Sequence, residues 1–216
     1  MKRLAIVVLI SLLTAPAIAT AATINFMGSG NSTVIEITSP ALGNVSVRAG
    51  ELLWSTGPSS ELPLLFYAYC VDPNNWINLS QIVGVRPSTE LSTPGVEDGA
   101  ARAAWLVNTY APAIHDGGSD LDAAALQVAI WTSLFNESGT FTDGPFRLRS
   151  SGAVATTAQS MLDAVFASGS EFNLASTAWL DTQSGQDQMI PTPEPASLLL
   201  MGTGLALAWR ARKQRT

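Results

Sequence analysis

Two residues with complementary chemistry stand in apolar stretches of this 216-residue chain. Cys70 is the only cysteine and follows the run LLFYAY, whereas Gln127 is the single polar amide within AAALQVAIW. A thiolate that attacks the carboxamide of a glutamine expels ammonia and leaves an activated acyl group, which persists only where water is excluded. The apolar neighbours of both residues suit that requirement. The first hypothesis is therefore an internal thioester between Cys70 and Gln127.

A different chemistry would pair Cys70 with His115, the only histidine. An imidazole beside a thiol activates it in cysteine hydrolases, and Asp116 or Asp72 would be the orienting carboxylate. However, His115 precedes Asp-Gly-Gly, which predicts an exposed turn. A surface histidine without a catalytic role is the simpler interpretation, so the chain is expected not to be an enzyme.

Three carboxylates near a glycine pair raise the question of a metal site. Asp116, Asp120 and Asp122 offer oxygen ligands, but their spacing does not match an EF-hand loop. Capping of the following helix explains them more simply. A count of one cysteine and one histidine also excludes a zinc site of the Cys₂His₂ type. We therefore expect no metal and no cofactor.

The neighbourhoods of the two reactive residues resemble a known family. YCVD at 69–72 and LQVAIW at 126–131 are similar to the Cys–Gln thioester domains of bacterial surface adhesins, where the glutamine begins a Gln-x-x-Ile-Trp motif. The resemblance implies that Cys70 and Gln127 are the linked pair and that Ile130 and Trp131 complete the motif. It also implies a β part joined to a helical part. The implied activity is a single-use transfer of the Gln127 acyl group to a target amine or hydroxyl.

The element that must position Gln127 is predicted to be a buried helix. Ser119 and Asp120 are residues that cap helices, and Asp122 lies in the first turn, where a carboxylate suits the helix dipole. Apolar residues then occupy most of the helix circumference as far as about Phe135. A helix that is apolar on most sides is normally buried.

The body of the chain, residues 23–190, is predicted to have an α+β fold, with an antiparallel β layer around a helical insert. β-branched or alternating segments predict strands at 33–37, 45–49, 62–72, 82–85, 172–180 and 188–190. Helical spacing predicts two further helices at 99–110 and 156–168. A turn is expected at 111–120, and a loop with an extended piece at 140–142 is expected at 139–151.

The N-terminus is typical of a secretory signal peptide, assigned to residues 1–22. Basic residues at positions 2 and 3 precede an apolar run at 4–13. Small residues then offer cleavage sites after Ala19 and after Ala21. The body is therefore expected to be exported through the inner membrane.

The last segment, residues 191–216, resembles the PEP-CTERM sorting signal of Gram-negative bacteria. It has a Pro-Glu-Pro, an apolar run at 196–209 that is short for a transmembrane helix, and a basic end that would stay in the cytoplasm. The residues that define it are Pro193, Glu194, Pro195, Arg210, Arg212 and Lys213. The resemblance implies transient membrane anchorage, removal of the tail by an exosortase, and a place at the cell surface or in an exopolysaccharide biofilm matrix.

The charge of the body excludes one class of partner. Residues 23–190 contain five arginines against sixteen carboxylates, a net charge of −11. Such a surface repels phosphate backbones, so nucleic acid is not expected to bind. The alternative to a covalent adhesin is a matrix protein without a reactive bond, in which Gln127 is an ordinary core residue with hydrogen-bond partners.

Overall fold

The computed structural model describes residues 21–58, 60, 62–87, 96–169, 177–182 and 185–191. The predicted signal peptide lies outside these residues, apart from Ala21 and Ala22, and so does the predicted tail from residue 192 onward. The predicted strand at 172–180 is described only from Thr177. Among the described residues, no helix is long and apolar enough to cross a membrane.

The described residues form seven strands and three helices. In chain order they are β1 (Ala21–Ser39), β2 (Gly43–Thr56), β3 (Leu65–Cys70), β4 (Ser80–Pro87), α1 (Gly99–His115), α2 (Asp120–Phe135), β5 (Arg147–Leu148), α3 (Ala153–Ala167), β6 (Thr177–Thr182) and β7 (Gln188–Pro191). The helices lie between strands that come before and after them in the chain. The predicted α+β fold with a helical insert is confirmed.

All strand pairs are antiparallel, as predicted, and the sheet closes on itself. The order of pairing is β1, β2, β3, β7, β6, β4 and again β1. Strand β1 closes this ring because residues 21–25 pair with β4 along one edge and residues from 24 to 39 pair with β2 along the other. Register shifts after Phe26 and after Ser29 mark irregularities in β1, and such bulges bend a strand.

Helix α2 is the centre of the molecule. Every residue from Ala123 to Leu134 is buried, because α2 packs against β1 and β2 and is flanked by α1 and α3. At its start, the Ser119 side chain accepts a hydrogen bond from the Asp122 N–H, and the Asp122 carboxylate accepts one from the Ser119 N–H. This reciprocal capping box confirms the predicted start of the helix.

Several predicted boundaries differ from those of the structure; the predicted strand at 62–72, for example, spans only Leu65–Cys70. Helix α1 continues through Pro112 to His115, where the sequence predicted a turn from residue 111. Ala111 and Ile114 are buried there, and this burial offsets the hydrogen bond that a proline removes. Residues 140–142 are not a strand, and the nearby strand is instead β5, which pairs with the end of β1. Helix α3 begins at Ala153, three residues before its predicted start.

Candidate functional site

Cys70 is the last residue of β3, and its position leaves one edge of its backbone without a strand partner. On one side β3 pairs with β7. On the other side the pairing with β2 ends at Ala68 and Leu52, two residues before Cys70. Cys70 is buried, with 3% of its surface exposed. A buried backbone N–H and C=O at this point require partners from elsewhere in the fold.

The side chain of Gln127 supplies those partners from the middle of α2. Its Oε1 accepts a hydrogen bond of 3.0 Å from the Cys70 N–H, and its Nε2 donates one of 2.7 Å to the Cys70 carbonyl oxygen. Gln127 is 1% exposed. The carboxamide thus continues the ladder of β3 in place of a peptide group. Two residues that are 57 positions apart in the sequence are held in contact by this pair of hydrogen bonds.

The thiol of Cys70 lies in a largely apolar environment. Burial raises the pKa of the Cys70 thiol well above its ordinary value, although a contact with the Trp131 indole and the backbone N–H of Asp72 act in the opposite direction. The Trp131 Nε1–H forms no hydrogen bond of normal geometry with any described residue, so its contact with the sulphur is weak. The Cys70 sulphur thus lies in an apolar environment with an indole N–H donor beside it.

A cavity of about 280 Å³ connects this pair to the surface. Its inner wall includes Cys70, Gln127 and Trp131, all of which are buried. Its outer wall includes Trp76, which is 59% exposed. A small nucleophile therefore has a route from solvent to the site where the Gln127 carboxamide contacts Cys70.

The loop after β3 forms part of the cavity wall and is tied down at several points. The Asp72 carboxylate accepts hydrogen bonds from the Asn74 N–H at 3.0 Å and from the Asn75 side chain at 2.6 Å. The Asn74 side chain in turn accepts a hydrogen bond of 3.0 Å from the Ser39 hydroxyl. The Gln186 side chain donates to the Asn75 carbonyl oxygen at 3.0 Å. These hydrogen bonds fix the loop after β3 against Ser39 on one side and Gln186 on the other.

The structure does not bring His115 to Cys70. His115 ends α1 and stacks on Tyr67 at 3.9 Å between ring centroids, and its Nδ1 lies 3.3 Å from the buried carboxylate of Glu51. Tyr67 and Cys70 are three residues apart on β3, so their side chains project to opposite faces of the sheet. His115 is exposed and a turn follows at residues 116–117, as predicted, but His115 itself is the last residue of α1 and is held by Tyr67 and Glu51. Sequence reasoning missed this cluster.

Two of the three carboxylates considered as metal ligands, Asp120 and Asp122, have structural roles. Asp122 caps α2, and the Asp120 carboxylate accepts a hydrogen bond of 2.9 Å from the Ser32 N–H. In the part of the chain that the structure describes, no group of three or more ligand-type side chains could hold a metal ion. Helix capping, together with support of β1, accounts for these two residues.

Comparison with known proteins identifies one segment of the chain. Residues 191–213 match the family profile described as the PEP-CTERM protein-sorting motif. The match contains all six predicted sorting residues, from Pro193 to Lys213, and it indicates an exported protein that is sorted to the cell surface and processed by an exosortase. No curated protein and no solved structure matches the chain. The resemblance of the body to thioester adhesins therefore stays a hypothesis.

Proposed function

We propose that this exported surface protein attaches itself covalently to a target through a thioester between Cys70 and Gln127. The observation that carries the proposal is the contact of these two residues at the inner wall of a cavity that reaches the surface. Each molecule carries out this acyl transfer once and without turnover, so the protein is not an enzyme. Its partners are an exosortase, which removes the tail, and a surface or matrix molecule with an amine or a hydroxyl.

The hydrogen bonds of Gln127 suit the first step of this chemistry. The Cys70 N–H donates to the carbonyl oxygen of Gln127, which polarises the carbon that the sulphur would attack. Attack forms the C–S bond and breaks the C–N bond of the carboxamide. The thiol proton passes to the departing nitrogen, which leaves as ammonia. The balanced products are one thioester and one ammonia molecule.

In thioester formation the Cys70 sulphur is the nucleophile, whereas in the transfer to a target it is the leaving group. A nucleophile entering through the cavity attacks the Gln127 carbonyl carbon, the C–S bond breaks, and the proton of the nucleophile ends on the Cys70 sulphur. Negative charge develops on the sulphur as it leaves. The nearby indole N–H of Trp131 is a donor that would stabilise this charge.

The test is the intact mass of the exported chain before and after treatment with methylamine. A thioester makes the native mass lighter by one ammonia, blocks the thiol against alkylation, and allows methylamine to add at Gln127 and release the thiol. Cys70→Ala and Gln127→Ala should each abolish methylamine capture. Gln188→Ala is the matched control, because Gln188 is equally buried and pairs with Cys70 across the β3–β7 ladder. A full native mass with a titratable thiol would refute the proposal.

A second candidate is a structural matrix protein without a reactive bond. The observation in its favour is that both polar groups of the Gln127 amide already have hydrogen-bond partners, as in an ordinary core glutamine. In that case the function of the body would lie in its surface, and only the tail would take part in a reaction. The same mass measurement distinguishes the two candidates.

A further inference from the structure

We propose that the cavity beside Cys70 and Gln127 binds a sugar unit of a neutral polysaccharide, and that a sugar hydroxyl is the acceptor of the Gln127 acyl group. The identity of the acceptor rests on the proposed function, whereas reversible binding of the sugar does not. The cavity volume of about 280 Å³ lies at the lower end of ligand pockets, so it suits one small unit of a longer chain.

The charge of the cavity wall favours a neutral ligand over a lysine side chain. No described residue that lines the cavity is acidic, although the body as a whole carries sixteen carboxylates. Among the described lining residues only Arg48 is charged, and it forms no ion pair with another described residue. An ammonium group that entered the cavity would lose its hydration, would have no described carboxylate in the wall to pair with, and would be repelled by Arg48. A neutral hydroxyl group neither gives up the hydration of a charge nor is repelled by Arg48.

The outer wall offers the contacts that a sugar ring needs. Trp76 is exposed at the cavity and presents a rigid aromatic surface on which the C–H face of a sugar can pack. The amide side chains of Asn75 and Gln186 line the same wall, and amides can both donate to and accept from hydroxyl groups. An aromatic surface flanked by a few polar groups is a suitable site for a molecule with one apolar face and a polar rim.

The binding surface is also preorganised. The hydrogen bonds of Asp72 and Asn74 fix the loop that carries Trp76, and the bond from Gln186 to the Asn75 carbonyl fixes its far side. A ligand that binds a fixed loop does not have to order it, so less free energy is lost on binding.

The covalent step is balanced without any further reactant. The hydroxyl oxygen attacks the carbonyl carbon of Gln127 and forms an ester as the C–S bond breaks. The hydroxyl proton passes to the sulphur, which leaves Cys70 as a free thiol. Nothing is oxidised or reduced. The product is an ester at Gln127, which differs in mass and in stability to alkali from the amide that a lysine would form.

The first experiment measures reversible binding with the exported chain carrying Cys70→Ser, which cannot form a thioester. Maltoheptaose, cellohexaose and mannohexaose are titrated by calorimetry, together with Nα-acetyl-lysine methylamide as the amine probe. We expect at least one oligosaccharide to bind and the amine probe not to bind. Adding Trp76→Ala should weaken oligosaccharide binding at least tenfold. Adding Leu79→Ala, which truncates an even more exposed apolar residue outside the cavity wall, should change it less than twofold.

The outcomes separate this inference from the proposed function. Failure of all three oligosaccharides to bind, binding that survives Trp76→Ala, or preferential binding of the amine probe would overturn the sugar site. Failure of methylamine capture by the unmodified chain would instead remove the thioester and the covalent acceptor, and leave reversible binding to be judged on its own result. A chain that captures methylamine but forms adducts only with the lysine probe would overturn the choice of a hydroxyl acceptor.

Discussion

Replacing Gln127 by alanine should cost far more stability than the loss of a single side-chain amide suggests. The substitution removes both hydrogen-bond partners of the Cys70 backbone, at 3.0 and 2.7 Å. A hydrogen bond contributes about 1 kcal/mol net, but a buried donor or acceptor left without a partner costs about 1–3 kcal/mol. The adjoining cavity can admit water to part of this site, which reduces the loss. We expect the free energy of unfolding to fall by about 2–4 kcal/mol.

The measurement is urea unfolding, followed by tryptophan fluorescence, in a Cys70→Ala background. Without the thiol no thioester can form, so the difference between the single and the double variant reports only the hydrogen bonds of Gln127. The matched control is Gln159→Ala on the exposed side of α3, where the glutamine donates one bond of 2.8 Å to Asp163. Surface changes of that kind stay within about 0.5 kcal/mol.

A loss below about 1 kcal/mol for Gln127→Ala would refute this reasoning. It would mean that the Cys70 backbone finds other partners at no cost and that the carboxamide does not act as a continuation of the β3 ladder. The contact on which the thioester proposal depends would then lose its structural role.

Three further outcomes can be checked. Because β1 begins at Ala21, cleavage that leaves the strand complete should give an exported chain starting at Thr20 by N-terminal sequencing. Gly50 has φ +133° and a methyl group there would collide with the β1 backbone, so Gly50→Ala should lower the free energy of unfolding by about 2–4 kcal/mol, against less than about 0.5 for Gly57→Ala in open space. Burial, and then nearby carboxylates, raise the pKa of Tyr67 to about 12. The raised pKa stabilises the fold below pH 10, and this contribution is lost as pH rises to about 12, so stability in Tyr67→Phe should fall less across that interval.

The sequence predicts α2 well because several independent signals agree there. Cap residues at 119–122 define its start, and apolar side chains around the whole circumference predict that it is buried. The alternation in β1 and β2 likewise predicts strands, since a period of two has one interpretation when it is sustained. These are local patterns, and local patterns are what a single sequence carries.

Local patterns of this kind do not predict how the residues of the site are arranged in space. That β3 outlasts its pairing with β2 by two residues, and that Gln127 fills the gap, depends on register between distant segments. The surroundings of His115 were not predicted either. Its position depends on α1 continuing through Pro112, and α1 continues there because Ala111 and Ile114 pack into the core. Trp76 could have been noticed from the sequence, since a tryptophan directly after Pro-Asn-Asn is a large aromatic residue at the end of a turn.

The glutamate variant separates the structural and the chemical roles of Gln127. In Gln127→Glu one carboxyl oxygen can still accept from the Cys70 N–H, but the other faces the Cys70 carbonyl oxygen, where only a protonated oxygen can donate. Burial and this second acceptor should raise the pKa of the new carboxyl above the ordinary value of about 4.3.

The pH dependence of this variant follows from the sign of that shift. A folded-state pKa above the unfolded value gives stability that is complete below about pH 4.3 and lost as pH rises through the folded pKa, at up to about 1.4 kcal/mol per pH unit. Urea midpoints between pH 4 and 8 should therefore fall more steeply in Gln127→Glu than in the control Gln159→Glu, whose new carboxyl lies near the surface of α3 and is repelled only by Asp163. A pH profile for Gln127→Glu that parallels the control would mean that the carboxyl is not held against the Cys70 carbonyl. Since that same contact holds the Gln127 carboxamide against the Cys70 backbone, its absence would also remove the geometric basis of the thioester.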